Sequence, residues 1–164
     1  MQVMGELPMA SLITFANDIQ RLTCDLAGYY AICDRVCVEE LGVTASQGYI
    51  LLALPETGSV TMNDLSVRMK LANSTMTRMV DQLIRKGMLT REPDPEDRRI
   101  VRVRLTEQGQ DVKIRLKKTM QGLFTQILED IPDGNREQIL RSLGTLKQSI
   151  VDTLKSCCET EVAE

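Results

Sequence analysis

Apolar residues recur at intervals of three and four along the first forty residues, at Leu12, Phe15, Ile19, Leu22, Leu26, Tyr30, Cys33 and Cys37. This is the period of one helical face and predicts a single long helix. Gly42 ends it as a C-terminal breaker. Thr44 opens a second helix, with Gln47 three residues on in capping-box position. Ile50, Leu51 and Leu54 are its apolar residues, and Pro55 closes it. Pro55-Glu56-Thr57-Gly58-Ser59 reads as a loop. Thr61 caps a short third helix carrying Leu65, Val67 and Met69, with Asp64 in place of the usual Glu or Gln. A break at Leu71-Ala72-Asn73 leads into a fourth helix over 74–86, whose inward face is Met76, Met79, Val80, Leu83 and Ile84.

After Gly87 the period changes from 3.6 to 2. Met88 to Arg91 is a short strand, Pro93-Asp94-Pro95-Glu96-Asp97 a turn, and the segment from Ile100 to Leu105 alternates. Val101, Val103 and Leu105 face one way and Arg102 and Arg104 the other, which predicts a half-buried β-hairpin. Thr106 caps a long helix running to about Glu129, with Glu107 favourably placed at its positive end. Pro132-Asp133-Gly134 breaks it, and Asn135 with Gln138 is expected to cap a last helix bearing Ile139, Leu143, Leu146, Ile150, Leu154 and Cys157. The fold class is therefore mainly α with a small β-hairpin wing.

Composition narrows the functions available. The 164 residues suit one ordinary domain, or a compact module with a helical extension. No apolar run approaches the roughly 20 residues that cross a bilayer, and the N-terminal segment is a poor signal peptide. A soluble, cytoplasmic protein is expected. Five cysteines, an odd number without an export signal, argue against a disulfide framework. The absence of histidine removes the commonest general base and metal ligand. With no Gly-rich phosphate loop and no zinc motif either, an enzyme is not expected, and no cofactor is called for.

The net charge of −3 is unevenly spread. Over 61–106 there are ten Lys or Arg against six Asp or Glu, a net of +4, and the remainder holds ten against seventeen, a net of −7. A basic middle between acidic flanks points to a local anionic partner. The same block reads helix, turn, helix, hairpin. Its second helix presents Ser74, Thr75, Thr77 and Arg78 near the N-terminal end, away from the apolar face. Small hydroxyl residues and one arginine suit a helix entering the DNA major groove, where Arg can hold guanine O6 and N7 together. Asp97-Arg98-Arg99 sits where the turn re-enters the strand, so two guanidinium groups reach beyond the body of the fold toward phosphates or a narrow minor groove. Asp97 is placed to pair with Arg99 and fix the tip.

Three segments together resemble the MarR family of regulators. They are Ala72 to Gly87, with its Thr77-Arg78 pair, the wing Asp94-Pro95-Glu96-Asp97-Arg98-Arg99, and the exit Leu105-Thr106-Glu107-Gln108-Gly109. The long first helix and the two last helices also match that layout. The resemblance implies a winged helix-turn-helix plus a helical dimerisation region: a dimerisation helix over 1–42, a DNA-binding domain over 43–106 and dimerisation helices over 107–164. It implies a homodimer on double-stranded DNA, at a pseudo-palindromic operator, with recognition helices in successive major grooves. Thr77, Arg78, Arg98 and Arg99, with Ser74 and Thr75, are the implied contacts, and Arg99 is the nearest match to the minor-groove arginine. Many such proteins are repressors released by a small ligand or by thiol oxidation. Length agrees with the dimer, because a helix of about thirty residues spans some 45 Å and needs a partner for its apolar seam. A winged-helix module that binds protein rather than DNA is the alternative, which the wing arginines argue against.

The signal stays open at this stage. Cys33 and Cys37 lie four apart on one helical face, and Cys157-Cys158 end the last helix. They read as small apolar packing residues, as a redox pair, or as a soft-ion site built without histidine. A small-molecule inducer between dimer helices and winged domain is the other route, with Tyr30, Tyr29 and Tyr49 available to line a pocket.

Overall fold

The computed structural model describes residues 9–160, with side chains over 11–156. It divides into two compact units whose boundary falls between Met120 and Gln121, inside one helix.

In the first unit, α1 (Met9–Val38) closes in a 3-10 turn over Glu39–Leu41. Gly42 follows at φ 67°, a left-handed conformation that glycine adopts without a Cβ penalty. The expected capping box then starts α2 (Ala45–Ala53), since Thr44 Oγ1 accepts from the Gln47 amide and Gln47 Oε1 from the Thr44 amide. Leu54 is already extended, as a residue before proline must be, so α2 stops there. Thr61 caps α3 (Met62–Met69) by accepting from the Asp64 amide at 3.0 Å.

Helix α4 (Asn73–Arg85) is strongly amphipathic: Met76, Val80 and Leu83 are fully buried. It ends in a Schellman motif. The Met88 amide bonds the Leu83 carbonyl and the Gly87 amide the Ile84 carbonyl, around Gly87 at φ 72°. Strands β2 (Leu89–Pro93) and β3 (Val101–Leu105) form the expected hairpin, Leu89 opposite Leu105 and Pro93 opposite Val101. A third strand was not anticipated. β1 (Val60–Thr61) pairs antiparallel with β3, so the sheet order is β1-β3-β2. Two residues are too few to display an alternating pattern. The alternation along β3 is also only half realised, with Val103 fully buried and Val101 40% exposed, because Val101 lies on the part of the hairpin that extends past the core.

Helix α5 (Glu107–Glu129) begins where Thr106 ties three segments together. Its hydroxyl donates to the Gly87 carbonyl at 2.6 Å and accepts from the Gly109 amide at 3.1 Å, while its own amide bonds Met88. A Cβ on Gly109 would stand 2.0 Å from the Met88 carbonyl oxygen, so the Leu-Thr-x-x-Gly exit is a steric requirement of this crossing. Ile50, Leu51, Leu54, Leu65, Met76, Val80, Leu83, Val103 and Leu116 are the most deeply buried, and with Val60 of β1 and Leu89 of β2 the core draws on every element from α2 to α5. Burying each large side chain is worth about 1.5–3 kcal/mol. Lys113, buried on α5, donates to the carbonyl of Leu54, where the C-terminal end of α2 favours a cation.

The second unit contains the end of α5 and α6 (Asp133–Thr160). Its start differs from the expected Asn135 cap. The Pro132 carbonyl accepts from the Asn135 and Arg136 amides, and the Arg136 side chain bonds the Leu128 and Glu129 carbonyls and pairs with Asp133. The breaker residues Pro132-Asp133-Gly134 are thus themselves the helix start, a position where proline needs no amide partner. Ile139, Leu143, Ile150 and Leu154 stand exposed along α6. In the first unit, Leu12, Phe15, Leu22, Leu26, Tyr29 and Tyr30 stand exposed along α1.

Candidate nucleic-acid interface

Two elements carry the predicted contact residues. On the first two turns of α4, Ser74, Thr77 and Arg78 are exposed and Thr75 is half-buried. Their outward direction follows from the burial of Met76 and Val80, which turns the intervening positions away from the core. The preceding residue, Ala72, offers no capping side chain, and the first turn holds no acidic residue. The positive end of the helix is therefore not occupied by a carboxylate of its own.

The second element is the wing loop between β2 and β3, with Arg98 and Arg99 both exposed. Its shape is set by two aspartates. Asp94 Oδ1 accepts from the Glu96 and Asp97 amides at 2.9 and 3.2 Å, an Asx turn, and Asp97 Oδ1 accepts from the Arg99 backbone amide at 2.9 Å. The sequence reading had Asp97 pairing with the Arg99 side chain. Asp97 instead holds the tip through the backbone, and the Arg99 guanidinium makes no internal hydrogen bond or ion pair among the described residues.

Sequence reasoning missed the clamp at the wing's base. The Arg102 guanidinium bonds Asp94 Oδ2 at 2.6 Å and Ser59 Oγ and the Ser59 carbonyl at 3.0 Å each. This Arg102 bond, reinforced by the two backbone amides, holds the Asp94 carboxyl below the usual carboxylate range. Alternation had put Arg102 on the solvent side. It is half-buried because β1 and the loop before it lie beside β3. Nearby, Arg91 of β2 pairs with Asp81 of α4 at 2.7 Å, fastening helix to wing, and Arg104 pairs with Glu92 at 3.3 Å. Arg78, Arg85, Arg98 and Arg99 have no internal partner among the described residues, whereas Arg91, Arg102 and Arg104 all do.

The comparisons with known proteins agree with this geometry. Residues 43–101 match the family model described as MarR family. An uncharacterized HTH-type transcriptional regulator of Mycobacterium bovis is 30% identical over 110 residues, which cover 67% of this chain and 76% of that protein. The chain belongs to the MarR family. It is thus a member of a family of winged-helix transcription regulators, which points away from enzymatic activity. The HTH-type transcriptional repressor MdtR of Bacillus subtilis is 34% identical over 76 residues, 46% of this chain and 48% of that protein. The crystal structure of Streptococcus pneumoniae FabT in complex with DNA superposes with a TM-score of 0.76 at 18% identity, over 84% of this chain and 98% of FabT. At that identity the likeness is one of fold.

The residues singled out as sensors in this MarR-family chain are dispersed in character. Cys37 is buried and Cys33 half-buried, while the side chains of Cys157 and Cys158 lie outside the described residues. Burial, with the Asp34 carboxylate and Cys33 behind it, pushes the Cys37 thiol up, which lowers its thiolate fraction. Among the described residues no group of three or more Cys, Asp or Glu could hold a metal ion. Tyr30 is exposed on α1. Tyr49 donates to Asp34 Oδ1 at 2.7 Å, and burial, together with that bond, pushes its hydroxyl up to about 12. Tyr49, Asp34, Cys37, Leu116 and Met120 border a small pocket between α1, α2 and the start of α5. No helix among the described residues is long and apolar enough to cross a membrane.

Proposed function

We propose that this chain is a homodimeric, sequence-specific DNA-binding repressor. The observation that carries this reading is the division of its arginines. Those at the base of the wing each have an internal ion-pair partner, while Arg78 on α4 and Arg98 and Arg99 at the wing tip carry charge with no internal partner among the described residues. Exposed guanidinium groups on a helix and a loop that are otherwise tightly braced suit major-groove and minor-groove contacts. Ser74, Thr75 and Thr77 supply hydroxyls beside Arg78. The fold shared with DNA-bound FabT and the likeness to a repressor support the same reading.

The dimer rests on the apolar residues left exposed along α1 and along α6, too many for a solvated surface and suited to a second copy. In this reading residues 1–42 and 107–164 dimerise and 43–106 contact a pseudo-palindromic operator. Release comes from a small molecule held near Tyr30 and Tyr49. Burial of Cys37 favours packing over thiol chemistry as its role.

Fluorescence-anisotropy titration of the DNA fragment upstream of its own gene tests the proposal. Specific binding should weaken with log salt at a slope near −0.9 per phosphate neutralised. Sedimentation equilibrium should return a dimer. A monomer, or equal affinity for random DNA, would sink the reading.

A further inference from the structure

A polar network links the C-terminal end of α4 to the bend between α1 and α2. Lys86 caps α4 and sends its ammonium back across the domain: Nζ donates to the Gly42 carbonyl at 2.7 Å and to Gln47 Oε1 at 2.8 Å. Gln47 is only 3% exposed, and both the oxygen and the nitrogen of its amide are hydrogen-bonded. Oε1 also accepts from the Thr44 amide at 3.2 Å, and Nε2 donates to Gln82 Oε1 at 2.9 Å. Gln82 and Lys86 lie one turn apart on α4, so α4 grips Gln47 at two points. The other end of the network is Gly42, the single left-handed residue between α1 with its 3-10 turn and α2.

We propose that Lys86 is a positioning residue that makes the pose of α4 depend on the direction in which α1 leaves Gly42. The inference rests on the reading of α4 as the helix that enters DNA. Rotation about Gly42 reorients α1 and swings the Gly42 carbonyl. The 2.7 Å bond then either breaks, or draws Lys86 and the end of α4 with it. The Lys86–Gly42 bond is itself exposed, but the same ammonium also holds the buried Gln47 oxygen, where a lost partner is costly, so the two bonds shift together. A displacement of α1 therefore reaches α4 through two hydrogen bonds, without repacking Met76, Val80 or Leu83. A basic residue at this helix end would otherwise be taken for a phosphate contact, and the two roles predict different salt behaviour.

Lys86→Met keeps the alkyl stem and removes the donors, and Gly42→Ala strains the bend without a clash, since nothing lies within 4 Å of the added Cβ. Each should weaken binding to the upstream fragment by about 5- to 20-fold, in the range of ordinary coupling between sites. The slope of log affinity against log salt should stay at its wild-type value, and the double variant should bind little worse than the weaker single one. A slope reduced by about 0.9 would make Lys86 a phosphate contact and overturn the proposal. Strictly additive losses, or wild-type affinity, would overturn it too. Thermal melting checks that Lys86→Met folds; should it not, Gln82→Ala removes one grip and is read in the same way. If the wild-type chain binds no operator, the DNA reading fails and hydrogen exchange decides the latch. Lys86→Met must then speed exchange at Thr44, Gln47 and Arg85 together, and unchanged protection there refutes it.

Discussion

The base of the wing and its tip carry the same residue type and use it in opposite ways. At the base, Arg102 meets Asp94 and Ser59 through three hydrogen bonds, and its ion-pair partner Asp94 has only 11% of its side chain exposed. At the tip, Arg98 and Arg99 project with no internal partner among the described residues, and only the Arg99 backbone is held. The difference teaches that charge alone does not mark a binding residue. A guanidinium whose donors are satisfied internally braces the loop; one left over is available to a ligand. The same contrast runs between Arg91, fixed to Asp81, and Arg78, three residues before Asp81 on the same helix.

Substitutions on the two sides of this contrast should separate binding from stability. The largest expected effect is at Arg78. Arg78→Ala should cost about 1–3 kcal/mol of operator affinity and relax sequence preference while leaving Tm unchanged; a lowered Tm with intact affinity would move Arg78 to the bracing class. Arg102→Ala should do the reverse first. It leaves Asp94 Oδ2 and the Ser59 carbonyl without this donor, so Tm should fall by on the order of 3–6 °C, with DNA binding weakened only as the tip loosens. Differential scanning calorimetry against anisotropy resolves the two.

Acid pH addresses the same clamp through Asp94. Its carboxyl is held low in the folded chain, so its stabilisation is fully present above the ordinary Asp value of about 3.9 and is lost as pH falls through the lower folded value. Asp94→Asn should flatten that acid limb of Tm against pH, and an unchanged limb would remove Asp94 as its source. Arg99→Ala should weaken binding and lower the salt slope by about 0.9 if it meets one phosphate. Smallest of all is Arg104→Ala. Its pair with Glu92 is solvent-exposed, and stability should change by less than about 0.5 kcal/mol. A large loss there would break the division drawn between engaged and free arginines.

Local signals were legible wherever the chain's own neighbours decide the outcome. The Thr44/Gln47 capping box, the Thr61 cap, the stop at Gly87 and the Thr106 start all stand where sequence spacing puts them, because each is a contact between residues three or four apart. The stop of α3 was harder to see. Lys70 takes the left-handed position at φ 53°, which no glycine advertises. Contacts between distant residues were not legible at all. Nothing near Arg102 announces Ser59, forty-three positions away, and nothing near Lys86 announces Gly42. For the candidate site, Ser74, Thr77, Arg78, Arg98 and Arg99 were all found exposed as expected, and the braces behind them were not foreseen.

By itself, then, the amino-acid order determined the helices, the hairpin and the family, since periodicity and capping act over a turn or two of chain. Which arginines remain free, why Gly109 must be glycine, and how the end of α4 meets the bend at Gly42 were decided only in three dimensions. Those outcomes depend on which groups the fold brings within 3 Å of one another, and separation along the chain does not encode that distance.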